Sequence, residues 1–290
     1  MRNISKTSSY TVDMTEGSPI RHILRFAVPL FIGTVFQQFY SFADTMIAGR
    51  CLGDRAIAAI GASAAIYSLL IAFANGLNSG YGIVLSRAFG AGDQSKCRRA
   101  VAAMVLLDTV ITVLLTFMAL LSLKAVLRWL DTPADIFADA YRYIVVILGG
   151  MITTILYNMA AGFLRAVGNS RTPLYFLILS CVLNLGMDIL FIVVFHMGVG
   201  GAAAATVTAQ GISAFCCMWY IWRHYKGFLP EKQELVPERG LLSEMLSTGL
   251  SMALMLSVFP SVPSFFRKAS TIWGHRSSLP IRLPGGSMNC

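Results

Sequence analysis

From about residue 22 onward the chain consists of long, nearly continuous apolar stretches separated by short polar breaks. Six stretches reach the ~20 residues that a helix rising 1.5 Å per residue needs to cross ~30 Å of hydrocarbon. They fall at 22–49, 56–86, 100–123, 137–163, 172–196 and 199–222. The breaks are CLGDR after the first, SRAFGAGDQSKCRR after the second, LKAVLRWLDTPAD after the third, RAVGNSRTP after the fourth and HMGVGG after the fifth. Their glycines, prolines and charges cannot stay in lipid. The apolar runs lack the ten-residue alternation of barrel strands, so the pattern predicts an all-α integral membrane bundle. LLSEMLSTGLSMALMLSVF opens a partial seventh helix over 240–259, after which Pro260 and prolines at 263, 280 and 284 break a stretch with no apolar period. The predicted organisation is a cytoplasmic segment 1–21, a six-helix transmembrane lobe 22–222, a cytoplasmic loop 223–239, the partial helix 240–259 and a disordered, non-native tail 260–290.

Composition agrees with this class. Hydrophobic residues make up 56% of the chain and charged ones 13%, with mean hydropathy +0.67. Soluble domains carry about 25% charged residues, so a soluble fold is excluded. The net charge of +9 sits in short loops between apolar spans, which argues for membrane insertion and against nucleic acid as a partner. The polar start, MRNISKTSSYTVDMTEGSP, has no small-residue cleavage site ahead of an apolar run, so no removable signal peptide is expected. Six cysteines lack paired or metal-ligand spacing and read as small fillers.

Lys and Arg orient the spans. Fourteen lie in the N-terminal segment and the 87–99, 164–171 and 223–239 loops, against five on the opposite side. The excess predicts a cytoplasmic N-terminus in a plasma (inner) membrane.

Polar residues inside the spans supply the candidate chemistry. A carboxylate in hydrocarbon is costly, so Asp44 and Asp188 mark a functional site. Gln37, Tyr40 and Asp44 follow i, i+3, i+7 on the first helix, and Asn184 and Asp188 are i, i+4 on the fifth. With the spans oriented, both aspartates belong to the outer half, and Thr206 reaches a comparable depth from the sixth helix. Asn158 adds an amide from the fourth. The competing reading makes Gln37, Asn158 and Thr206 helix-to-helix hydrogen-bonding groups without a ligand. Asp108 reads as interfacial, within reach of a basic loop, and Asn75 and Asn78 as part of a glycine-rich packing face. No histidine pair has metal-ligand spacing, and GAGDQ lacks the GxxxxGK[ST] of a nucleotide loop. No nucleophile–base or metal constellation supports an enzyme.

Five stretches together resemble the multidrug and toxic compound extrusion (MATE) transporters, near their DinF/NorM-like bacterial members. They are MTEGSPIRHILRFAVPLFIGTVFQQFYSFADTMIAGRCLG, RAFGAGD, AAGFLRAVGNSRTP, NLGMDILFI and GVGGAAAATVTAQ, within about residues 14–225. The resemblance implies a Na⁺- or H⁺-coupled antiporter exporting small organic, often cationic compounds through a cleft between two six-helix lobes. It assigns a cation site, with Na⁺ a candidate occupant, to Asp44, Asn184, Asp188 and Thr206, and cavity-lining positions to Gln37, Tyr40 and Asn158. No other cofactor is implied.

Two carboxyls in one low-dielectric chamber can hold a proton or, when ionised, a Na⁺ among carboxylate, amide and hydroxyl oxygens. Exchange of occupants would couple ion entry to substrate exit if the occupied states prefer different conformations. Pro29 is a candidate bend point in the first helix. The family pattern calls for about twelve helices, so a chain truncated after the first lobe is expected, and transport would require two copies in a homodimer. The alternatives are an inactive fragment of such a transporter and a lipid-precursor flippase of the same superfamily.

Overall fold

The computed structural model describes residues 18–231, 234 and 238–257. The tail 260–290 and nearly all of the segment 1–21 lie outside the described residues. Eight α-helices follow in chain order: α1 (Pro19–Leu52), α2 (Asp54–Gly90), α3 (Gln94–Trp129), α4 (Ala134–Gly149), α5 (Met151–Ala166), α6 (Arg171–Asp188), α7 (Val199–His224) and α8 (Arg239–Ser257). A π-helical segment, Ile189–Val194, continues α6. The helices α1, α2, α3, α6 with its extension, α7 and α8 are each long and apolar enough to cross a membrane. The pair α4–α5 is one further span bent by 45°. The predicted spans thus correspond to α1, α2, α3, α4–α5, α6 and α7, with α8 as the partial seventh.

Short breaks make successive helices antiparallel. Asp93 caps α3, its carboxylate accepting the Lys96 backbone N–H at 2.9 Å. Asn169 does the same work ahead of α6, accepting the Thr172 N–H at 3.1 Å while its amide donates to Thr172 Oγ1 at 2.9 Å. Topology places Arg87, Arg98, Arg99, Arg171 and Arg223 together at one end of the bundle, here called the basic end.

Three apolar clusters hold the spans. One, at the basic end, joins Leu77, Tyr81 and Val84 of α2 to Met104 of α3, Phe163 and Leu164 of α5, Cys217 of α7 and Met245 of α8. A second packs Leu123 and Leu127 of α3 against Ile136 and Ile144 of α4. The third, at the opposite end, gathers Ala56, Tyr143, Ile147, Ile192, Val199 and Ala203. Large apolar side chains on the outside, among them Phe31, Phe39 and Phe42 on α1, are what a lipid-facing surface requires.

Two close approaches depend on glycine. A Cβ at Gly80 would fall on the backbone of Gly249, 2.6 Å from its nitrogen, so α2 and α8 meet backbone to backbone. This is the small-residue packing expected of the FANGLNSGYG stretch. A Cβ at Gly150, where α4 bends into α5, would overlap Val207 of α7, so the bend lets α7 lie close. The helix α1 runs continuously through Pro29, which is buried.

Candidate cation site

Asp188 is the last residue of α6 before the π-helical turn and is fully buried. Such a turn displaces the ladder of backbone hydrogen bonds and is frequent at functional positions. Here it follows the position at which α6 presents its carboxylate. Asp44 approaches from α1, and its carboxyl lies within interaction range of the Asp188 carboxyl. One oxygen of each, Oδ1 in both cases, is buried without a partner among the described residues.

Asn184, one turn before Asp188 and 2% exposed, ties the pair to α7 and α1. The amide orientation that satisfies both of its ends donates to Asp188 Oδ2 at 2.8 Å and to the Tyr40 hydroxyl at 3.3 Å. In the same orientation its oxygen accepts the Thr206 N–H at 3.0 Å and lies 3.2 Å from Thr206 Oγ1. The Tyr40 hydroxyl is hydrogen-bonded to Thr206 and faces both aspartates. All four residues assigned to the cation site, with Tyr40, therefore meet in one cluster built from α1, α6 and α7, Asn184, Asp188 and Thr206 buried and Asp44 and Tyr40 half-buried.

The two other predicted lining residues stand apart from the pair. Gln37 is exposed on α1, and Asn158 is half-buried on α5, one turn beyond Thr154. Asp108 departs from its predicted place. It is 5% exposed and accepts from Asn78 Nδ2 at 3.2 Å, instead of reaching a basic loop. Pairs among the described residues link the basic loop elsewhere: Arg98 to Glu231 and Glu234 at 2.9 Å each, Arg99 to Glu238 and Arg87 to Glu244 at 3.8 Å.

Sequence reasoning missed Tyr143, Tyr67 and Gln210. Tyr143, buried on α4, faces both aspartates and Tyr67 of α2. The Tyr67 hydroxyl is in turn hydrogen-bonded to Thr154 and Gln210, and Thr154 donates to Gln210. A polar chain thus runs from the aspartate pair toward the middle of the bundle. The signal for Tyr143 was available: it shares the inward stripe Ile136, Ala140, Tyr143, Ile144 and Ile147 of α4.

The chemistry follows from charge. Two carboxylates ~4 Å apart repel by about 4 kcal/mol at an effective dielectric of 20, far above thermal energy. The pair therefore needs a cation between its members, either a proton or a hard metal ion held by oxygen ligands. Thr206 and Tyr40 supply neutral hydroxyl oxygens beside the carboxyls.

Fold and site together define a polytopic α-helical membrane protein with an acidic pair enclosed by its spans. The family model described as MatE matches residues 29–190, and the chain belongs to that family. It is 30% identical over 253 residues to "Probable multidrug resistance protein YpnP" of Bacillus subtilis, covering 84% of this chain and 57% of the relative. The structure superimposes on an outward-facing multidrug resistance MATE family transporter of the MOP superfamily with a TM-score of 0.82 at 25% identity. That match covers 92% of this chain and 59% of the other. A MATE crystal structure in the straight conformation gives the same TM-score at 26% identity, with the same coverage of both chains. The chain spans little more than half the length of these relatives.

Proposed function

We propose that this chain is the cation-binding lobe of a multidrug efflux antiporter. Asp44, Asn184, Asp188 and Thr206 hold the coupling ion, Na⁺ or H⁺, and Gln37, Tyr40 and Asn158 border the cavity. The lobe sits in the plasma membrane with its N-terminus in the cytoplasm, and the exported compounds are small organic molecules, often cationic. The observation that carries this reading is the close pairing of the Asp44 and Asp188 carboxyls inside a membrane-spanning bundle. Membership of the MatE family and the similarity to multidrug resistance transporters support it.

In this mechanism the pair that shares one proton carries a single negative charge and is compact. Loss of the proton leaves two negative charges, which draw in Na⁺ or a cationic substrate or force α1 and α6 apart. The ion that binds then favours the conformation in which its oxygen ligands are closest together, and this differential affinity is the only source of coupling. Because the chain spans 57% of the length of its Bacillus relative, efflux by these 290 residues calls for a second lobe, supplied in a homodimer or by further sequence.

The test is dye efflux from bacteria lacking their own exporters and expressing the 290-residue chain, alone and with Asp44→Asn or Asp188→Asn. The reading expects ion-dependent efflux that either substitution abolishes. Absence of efflux with the unsubstituted chain at normal expression would support the second reading, an ion-binding lobe inactive by itself. Efflux unchanged by both substitutions would overturn the assignment of the site.

A further inference from the structure

A second intramembrane acid lies outside this chemistry. Asp108 sits in the middle of α3, and Asn78 and Tyr81 sit one turn apart on the facing side of α2. All three are nearly inaccessible, at 5%, 2% and 0% exposure. The Asn78 amide donates to Asp108 Oδ1 at 3.2 Å and to the Ala74 carbonyl oxygen at 3.2 Å. Tyr81 interacts electrostatically with the Asp108 carboxylate. Three oxygens of this group are buried with no partner among the described residues: Asp108 Oδ2, Asn78 Oδ1 and the Tyr81 hydroxyl.

An unpartnered buried polar oxygen is costly, and three in one cluster, two of them pure acceptors and one a hydroxyl, form a pattern that calls for a positive ligand. No lysine, arginine or histidine is paired with Asp108 among the described residues. The groups beside its carboxyl are neutral: Asn78 and Tyr81, both from α2. Across the cluster α5 presents Gly162, where an added Cβ would lie 4.0 Å from Asn78 Oδ1 and 3.4 Å from Met104 Cε. A group the size of a methyl therefore fits beside the amide oxygen at ordinary contact distance. One formal negative charge and two neutral oxygens, all nearly inaccessible, suit a single small monovalent cation.

The cluster is separate from the Asp44–Asp188 pair. Tyr67, which closes the polar chain leading from that pair, precedes Asn78 by eleven positions on α2, roughly 16 Å at 1.5 Å per residue. It lies toward the basic end, where α2 finishes and α3 begins. We propose that Asp108, Asn78 and Tyr81 form a second monovalent-cation site, for Na⁺ or an exchangeable proton, in the half of the bundle nearer its basic end. This assignment stands on its own residues whether or not the reading of the first site holds.

The test uses the full 290-residue chain in detergent with Asp44→Asn and Asp188→Asn combined, so that the first site is silent. Saturable ²²Na⁺ binding that disappears on adding Asp108→Asn identifies a Na⁺ site. A protonated-carboxyl infrared band that vanishes reversibly as pH rises, and is missing after Asp108→Asn, identifies a proton site. Tyr81→Phe removes one oxygen with little change of shape and is expected to weaken Na⁺ binding or shift the titration by about tenfold, the usual worth of one polar contact. It serves in place of Asp108→Asn should that variant fail to give a monodisperse protein. The proposal is overturned if the silent-site chain binds no Na⁺ and its Asp108 band never titrates while the protein stays folded, or if the added substitution changes neither readout.

Discussion

Asp44 on α1 and Asp188 on α6 bring their carboxyls together within the bundle, although each stands in a different apolar run of the sequence. Neither carboxyl meets a lysine or arginine among the described residues. On the proposed reading the contact is held by a proton or a bound ion, and its energetics depend on which variant replaces each acid. Asp188→Asn keeps a donor for Asp44 and is expected to fold with stability within about 1 kcal/mol of the parent. Asp188→Ala strands Asp44 and the Asn184 amide, and is expected to cost about 1–3 kcal/mol. Thermal unfolding of both variants in detergent checks the difference.

Tyr143 faces both aspartates from α4 and was not singled out from the sequence. Tyr143→Phe retains the ring that fills the cluster with Ile147, Ile192 and Val199 and removes only the hydroxyl. Unfolding should move by less than about 1.5 kcal/mol, while Na⁺ or proton affinity at the pair should change by about tenfold, as for the loss of one hydrogen bond near a charge. Equal ion affinity in both proteins would show that Tyr143 only packs.

Gly80→Ala tests the close seat of α8. Its new methyl would meet the backbone of Gly249, which cannot turn aside as a side chain can. Overpacking of this kind costs about 1–3 kcal/mol, and the strain is expected to loosen α8 first. Limited proteolysis between α7 and α8, faster in the variant, measures it; Gly61→Ala, where an added Cβ has open space, is the control.

Arg98 bridges Glu231 and Glu234 across the basic end. Because these groups are partly exposed, Arg98→Ala should cost no more than about 1 kcal/mol, and raised salt should shrink that difference. Thermal unfolding of parent and variant in low and high salt reads both effects.

Much of the fold was legible because lipid leaves few options. A run of apolar residues that long must be a helix, and the breaks at CLGDR, GAGDQ and HMGVGG had to be turns. The stripes of Asn184–Asp188 and Tyr40–Asp44 fixed which faces would meet, since both polar faces shun hydrocarbon. The bend at Gly150 was not legible, because what it accommodates, the close approach of Val207, lies on a helix some fifty residues later. Asp108 was misplaced for a similar reason: counting residues gave its depth, while its direction is set by Asn78 across the α2–α3 interface. The inward stripe of α4 placed Tyr143 in the interior, but its polar role, like that of Tyr67, comes from what α1, α6 and α7 bring to it.

The most direct test of the central claim is an experimental structure of the chain in a lipid bilayer mimic, solved finely enough to place carboxyl oxygens. The account predicts that Asp44 and Asp188 lie within hydrogen-bonding distance or are bridged by one bound cation, with Asn184 against Asp188. Side chains directed away from each other, with either carboxyl in the lipid, would contradict it.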